Sequence, residues 1–477
     1  MQDVLKEFEA ICKIPRPSFH EERIRDYLYD WAKQRNIYVE KDNFKNVFMK
    51  KPATKGYENC KPIALQAHTD MVCEKAEGIN HDFFKDPIKY YIDGDIVSTR
   101  ETTTLGADDG LGVSIILSVL ADNTISHPEI EAVFTSAEEE DFSGVGNFDM
   151  SKLKSRFLIN LDHCCDNEIV ISAAGGITFT ANKKIEKIKV DENYKCCDIK
   201  LSGLEGGHSG EDIHRGKGNS NILLFRFLDE LENIDFYLQD IKGGNFRLAI
   251  PRTSNVSLMV AKKDLKNLED EVCKFNSILQ KEFPAIKDSI KITMVENSNK
   301  DSSCIKREIF SDLKDYILTS PSEIQIMSNG FENFVDCSCN LGEIYIKDSQ
   351  IIVITDVRAG YESQKQYIIK KLKKIANSYN MPYTVWGSYP GWEYKSNSKL
   401  GQLIKEVYEE RGGKNVHFLA IHAGLECSFF DSKIDNMDIV SIGSNAWHYH
   451  SPKECFSLSS LEYFYKCFIE ILKKAKF

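Results

Sequence analysis

The chain has 477 residues, 42% of them apolar and 28% charged, a globular balance long enough to bury sizeable cores without disulfides or long disorder. Its 61 Lys and Arg against 72 Asp and Glu give a net charge of −11, which speaks against nucleic acid and anionic membranes as partners. No apolar run is long enough for a membrane span, the N-terminus lacks a signal peptide's basic start and apolar middle, and the 14 Cys include no C-x-x-C pair; the expectation is a soluble cytoplasmic protein with free thiols.

Two amphipathic helices are predicted before residue 40, either side of Pro15-Arg16-Pro17-Ser18, with apolar faces at Leu5, Phe8 and Ile11 and at Ile24, Tyr27, Leu28 and Trp31. Ser18 to Glu21 reads as a capping box opening the second helix. Apolar strands follow at residues 63–67, from about Glu131, and at 157–161. They run out into His68-Thr69-Asp70, Glu138-Glu139-Glu140 and Asp162. Residues 112–121 read as a buried helix preceded by Gly106-Ala107-Asp108-Asp109-Gly110. Because α/β sheets bind ligands beyond the carboxyl ends of their strands, these polar groups should converge there.

Residues 179–384 differ in character, with lysine-rich alternating stretches at 185–190, 199–201, 290–295 and 351–357, and helices such as 222–231. The densest basic stretch, 370–374, reads as the solvated face of a helix. After Tyr389-Pro390-Gly391-Trp392 the earlier rhythm returns. The predicted layout is a mixed-sheet α/β domain in two parts, 1–178 and 385–477, interrupted by an inserted α+β domain, 179–384.

Each polar cluster alone is an ordinary strand end, helix cap or solvated charge run. Their combination is informative, since carboxylates buried together repel one another unless a cation lies among them. Imidazole nitrogen mixed with carboxylate oxygen suits zinc or another first-row divalent ion, and two ions bridged by a carboxylate form a clamp for amide hydrolysis. Asp70, two residues beyond His68 on the same side of an extended strand, can hold its imidazole in one tautomer.

The series His68-Thr69-Asp70, Gly106 to Gly110, Glu138-Glu139, Asp162 and His450 resembles the dinuclear zinc exopeptidases related to aminoacylase and bacterial carboxypeptidases, and most of all the Xaa-His dipeptidases. The likeness extends through Gly207-His208-Ser209-Gly210, Ile213-His214, Ala249-Ile250-Pro251-Arg252, Tyr389 to Trp392 and Ala420 to Cys427. It implies the α/β zinc exopeptidase fold with the inserted domain as a lid that closes on substrate. It also implies two divalent metal ions, zinc in the first place with cobalt or manganese as alternatives, and a dipeptide as substrate, with monomer and homodimer both open.

Residue by residue, the resemblance gives His68 and Asp162 to one metal, Asp108 to both, and Glu139 and His450 to the second. Asp70 would orient His68, Glu138 would be the general base, and His208 would stabilise the oxyanion. Arg358 is the candidate for the substrate carboxylate, Glu426 for its ammonium, and Asn219 a further contact. His422 competes with His450 as last ligand; Glu454, four residues after His450, favours the latter as its supporting carboxylate.

The chain departs from the family pattern at Asp109, where Asn is frequent, and at His163-Cys164-Cys165. The latter three are expected to be bystanders, because neighbouring strand residues point to opposite faces. A tripeptidase or an N-acyl-amino-acid deacylase is the alternative reading; a non-catalytic binding protein is disfavoured because every ligand position is filled.

Overall fold

The computed structural model describes residues 2–297 and 301–477. The chain forms two units. One comprises the chain up to Ala173 with Trp392–Ile421 and Leu425–Phe477; the other comprises Ala174–Gly391 with His422–Gly424. The predicted edges at 178/179 and 384/385 would cut through the continuous strands Gly175–Lys184 and Tyr383–Tyr389, neighbours in one sheet.

The first unit is built on eight strands: β1 Tyr38–Lys41, β2 Val47–Lys51, β3 Ile63–His68, β4 Ile130–Thr135, β5 Phe157–Asn160, β6 Glu168–Ala173, β7 His417–Ile421 and β8 Asp438–Ser441. Their order is β1-β2-β4-β3-β5-β8-β6-β7. The central strands β4, β3, β5 and β8 run parallel, so their carboxyl ends share one edge. Strands β3, β4 and β5 are buried throughout, the reason they read as unbroken apolar runs rather than alternating ones.

Three helices matter for the site: α1 Gln2–Cys12, α2 Glu22–Gln34 and α3 Ala107–Ala121. Helix α3 is buried almost all round and packs against α1 and β3. Asp108 and Asp109 at its start have non-helical backbone angles, and regular helix begins at Gly110. The expected capping box at α2 does not form. Glu21 occupies the cap position without a side-chain cap, and Ser18 Oγ instead donates to Asp70 Oδ2 at 2.7 Å.

The second unit is a nine-stranded sheet whose pairings are all antiparallel, with helices Ser220–Asp229, Leu265–Glu282, Arg307–Thr319 and Glu362–Ser378. Its apolar core runs from Ile177 and Phe179 through Leu224, Phe227 and Leu258 to Val357 and Leu372. The basic stretch 370–374 lies on the last of these helices, with Leu372 buried and Lys370, Lys371 and Lys374 exposed. The predicted strand 185–190 shortens to Lys187–Lys189, paired with Ser303–Ile305. Among the described residues no helix is long and apolar enough to cross a membrane.

Candidate metal centre

Five segments of the first unit bring the predicted ligands together. His68 ends β3, Glu138 and Glu139 follow β4 after a left-handed turn at Ala137, and Asp162 follows β5. Asp108 enters from the start of α3, and His450 from a turn near the C-terminus. Asp108 stands between the rest: its Oδ1 lies 2.9 Å from His68 Nε2 and its Oδ2 lies 3.3 Å from His450 Nε2. His68 Nε2 is also 3.6 Å from Asp162 Oδ1, and His450 Nε2 is 2.9 Å from Glu139 Oε2. One carboxylate therefore presents a different oxygen to each of two His–carboxylate pairs.

The donor set fits divalent cations. Donor atoms lie within 4.8 Å of one another in three overlapping groups: His68, Asp109 and Asp162; His68, Glu138 and Glu139; and Asp108, Glu139 and His450. Buried Glu139 Oε1 has no hydrogen-bond partner among the described residues. On the protein's own charges, burial and then neighbouring Asp108 push Asp162 up to about 6 and Glu139 up to about 7. Burial works against the charged form of His450, yet its contacts with Asp108 and Glu139 raise it to about 11. So many acids held close to imidazoles in a buried place answer to positive charge.

Asp109 belongs to one of these groups but is already engaged. Its Oδ2 accepts the His68 N–H at 3.2 Å and its Oδ1 accepts the Gly112 N–H at 3.0 Å. A Cβ on Gly112 would lie 2.3 Å from Asp109 Oδ1, so the glycine makes room for this fold-back. Burial and the Asp162 charge push Asp109 well above the usual carboxylate range. Asp108, with both oxygens facing donors, is the better ligand of the two.

Asp70 is buried beside His68, its Oδ1 3.5 Å from His68 Nδ1. It also accepts the N–H groups of Glu138 at 3.1 Å and Glu139 at 3.2 Å, which fixes the turn carrying both acids. Burial would raise Asp70, but His68, Ser18 and the Glu138 N–H hold it below its ordinary range. Glu138 is pushed well above its range by burial first, with Asp162, Glu139 and Glu426 adding to the rise.

Several residues that shape the centre escaped the sequence reading. Arg16 is buried, and its Nη1 donates to the carbonyls of Thr69 at 3.0 Å and Asp70 at 2.7 Å. Its Nη2 donates to the Gly106 carbonyl, tying the loop after β3 to the loop before α3. Beneath the site a polar row crosses four strands: Thr135 on β4, Gln66 on β3, Asn160 on β5 and Ser441 on β8. Asn160 Oδ1 also accepts the Asp162 N–H at 3.3 Å. The readable signal was polar residues near the ends of otherwise apolar strands.

Glu426 belongs to this row. It has no exposed surface and accepts from Thr135 Oγ1 at 2.6 Å and from Gln66 Nε2. Burial pushes it up to about 8. These surroundings are those of a core acid and offer an ammonium group no access.

In the second unit, Arg358 is buried on the strand Gln350–Ala359, with Nε 3.3 Å from Asp356 Oδ2 and donating to Ser209 Oγ at 3.3 Å. Its Nη1 donates to Tyr389 OH at 3.2 Å, and its Nη2 is 3.5 Å from His208 Nε2. The Glu211 N–H donates to His208 Nδ1 at 3.1 Å. His422 packs with this unit, its Nε2 2.7 Å from Ser338 Oγ, while His450 keeps company with Asp108 and Glu139. Asn219 is the buried N-cap of the helix Ser220–Asp229. Its Oδ1 accepts the Asn221 N–H at 3.0 Å, and its Nδ2 donates to the Leu341 carbonyl at 3.1 Å. A side chain so employed at both ends serves as a structural cap.

The chain is 36% identical over 470 residues to the cytosol non-specific dipeptidase of Escherichia coli (strain K12), covering 98% of this chain and 96% of that protein. Its fold matches the crystal structure of aminoacylhistidine dipeptidase from Vibrio alginolyticus with a TM-score of 0.88 at 33% identity, over 99% of this chain and 96% of that one. The aminopeptidase PepT of Bacillus cereus shares the fold at a TM-score of 0.62 and 14% identity, covering 99% and 98% of the two chains. Residues 64–474 match the peptidase family M20/M25/M40, and the chain is a member of that family of metallopeptidases.

Proposed function

We propose that this protein is a cytosolic dipeptidase that hydrolyses unblocked dipeptides, Xaa-His among them. The observation that carries the reading is the placing of Asp108 between the pairs His68/Asp162 and Glu139/His450, with a Glu138 oxygen within 4.8 Å of donor atoms of His68 and Glu139, in a chain related over its length to named dipeptidases.

In this reading His68 and Asp162 would hold one divalent cation and Glu139 and His450 a second, with Asp108 available to both. Zinc suits the donors best, with cobalt or manganese as alternatives. When bound, the ions would supply Lewis acidity to the scissile carbonyl and lower the pKa of water. Glu138, whose burial raises its proton affinity, takes the proton of the attacking water and passes it to the leaving amine. Asp70 holds the imidazole of His68 and the turn that carries Glu138. Arg358 is assigned to the substrate carboxylate, as a planar donor suited to bidentate pairing, and His208 to the oxyanion. Asn219 and Glu426 receive no substrate role.

The test is a panel of carnosine, Gly-His, other dipeptides, a tripeptide and an N-acetyl amino acid, assayed with metal-loaded protein. Dipeptides should be cleaved and the N-acetyl amino acid left intact. A tripeptide cleaved faster than any dipeptide would favour the tripeptidase reading; no cleavage of any substrate by metal-loaded protein would overturn the peptidase reading.

A further inference from the structure

A separate set of donors lies on the first unit, and the five ligands above do not use it. His163, Cys165 and Glu168 place a ring nitrogen, a sulfur and a carboxylate oxygen within 4.8 Å of one another. His163 Nε2 is 2.8 Å from Glu168 Oε2, and the Cys165 thiol also donates to Glu168. The other oxygen, Glu168 Oε1, lies 3.8 Å from His417 Nε2. Glu168 and His417 are direct partners on the parallel strands β6 and β7, so both side chains leave the same face of the sheet.

The expectation that His163 and Cys165 point apart presumed a strand. Residues 161–165 are instead irregular, which allows both side chains to turn towards Glu168. The tautomer of His417 is also suited to ligation. Its Nδ1 lies 2.8 Å from the Asn415 carbonyl, which can only accept, so Nδ1 carries a proton and Nε2, on the Glu168 side, is the nitrogen left for an ion. Fixing a metal-binding histidine through its other nitrogen is the usual supporting arrangement. Side-chain exposures of 15% for His163, 24% for Glu168 and 50% for His417 leave the group open to ions from solvent.

We propose that His163, Cys165, Glu168 and His417 form a further metal site, one that takes a single thiophilic divalent ion such as zinc. Two imidazoles, a thiolate and a carboxylate make a four-donor set of the kind zinc accepts, softer than the catalytic donors because it contains sulfur. Binding expels the Cys165 thiol proton to solvent, moves the His163 proton from Nε2 to Nδ1 by exchange with water, and replaces the hydrogen bonds from His163 and Cys165 to Glu168 with bonds to the ion. The bound ion braces the loop from β5 to β6, which carries Asp162, against the edge strand β7.

The site can be tested without reference to peptidase activity, so its failure is distinct from failure of the proposed function. The full-length protein is stripped of metal and titrated with cobalt(II) alone, and the near-ultraviolet thiolate-to-cobalt charge-transfer absorption is recorded. The candidate catalytic ligands contain no sulfur and cannot give that band. The band is expected in the wild type, with one more equivalent of cobalt bound than in Cys165→Ser, and should be lost in both Cys165→Ser and His417→Ala. His417 is half exposed, so its variant serves if the Cys165 variant fails to fold as judged by circular dichroism. No band in the wild type, or a band that survives in either folded variant, overturns the assignment.

Discussion

Glu454 accepts the backbone N–H of Asp108 at 3.2 Å. The same buried carboxylate takes the N–H groups of Leu105 at 2.7 Å, Gly106 at 2.9 Å and Ala107 at 2.7 Å, so four donors at the entrance to α3 converge on one side chain. Glu454 thus supports the centre by holding the Asp108 loop. Glu454→Gln turns an acceptor into a donor that faces these N–H groups, and should cost about 1–3 kcal/mol of stability. Metal content should fall with it. Urea unfolding and elemental analysis check both, and a variant unchanged in both would refute this role.

Removing metal should make stability depend on pH in a particular direction. Glu139 and Asp162 are raised by burial to about 7 and about 6, above their ordinary values of 4.5 and 3.8. Between the ordinary and raised values the folded chain binds more protons than the unfolded one, so stability falls as pH rises through that window. Metal-free protein should therefore melt at lower temperature at pH 7 than at pH 5 (round values inside and near the ends of that window), while zinc-loaded protein should not show this loss. Thermal unfolding of the two forms across the window tests it; equal slopes would show that the acids are not relieved by metal.

How much of this could be read from the sequence depended on the range of the interaction. The strands ending at His68 and Asn160 were legible because burial on both faces leaves a continuous apolar run, and the polar residue that breaks the run marks the strand end. Arg16, Gln66 and Asn160 were not, because their partners are backbone carbonyls and side chains far along the chain. Ser18 misled the reading: the local pattern of a capping box was present, but Asp70 offered its hydroxyl a buried carboxylate. His163 and Cys165 were read as alternating strand residues, but residues 161–165 are irregular, and side-chain alternation holds only while the backbone stays extended.

Glu138→Gln keeps the size of the side chain and removes its ability to carry the transferred proton. Turnover of a dipeptide should drop by about 10²–10⁴-fold, the usual contribution of a general base. Glu138 is not among the assigned ligands, so metal content should stay at the wild-type level. Activity within a few-fold of wild type would remove Glu138 from the proton pathway; loss of metal would make it a ligand instead.

Asn219→Ala separates a cap from a substrate contact. Losing the acceptor for the Asn221 and Ile222 N–H groups should cost about 1 kcal/mol, and more if the Asn340 and Leu341 partners are left unpaired. KM for a dipeptide should not move at a temperature where the variant is folded. A rise in KM at unchanged stability would return Asn219 to the substrate.

His422 gives a second pH signature, of opposite sign to that of the metal-free acids. Burial first, then the charges of Arg358, His208 and His214, hold its pKa down at about 3 against an ordinary 6.5. The unfolded chain therefore binds the extra proton between those values, and the stability contributed by neutral His422 is complete above 6.5 and lost as pH falls towards 3. His422→Gln can still pair with Ser338 but cannot be protonated. The stability advantage of wild type over this variant should be largest above the ordinary histidine pKa and shrink steadily below it, in urea unfolding of metal-loaded protein. An advantage independent of pH would mean that His422 binds its proton equally well folded and unfolded; one that shrinks as pH rises would mean that it is charged in the folded state, with Nε2 donating to the Ser338 hydroxyl oxygen at 2.7 Å.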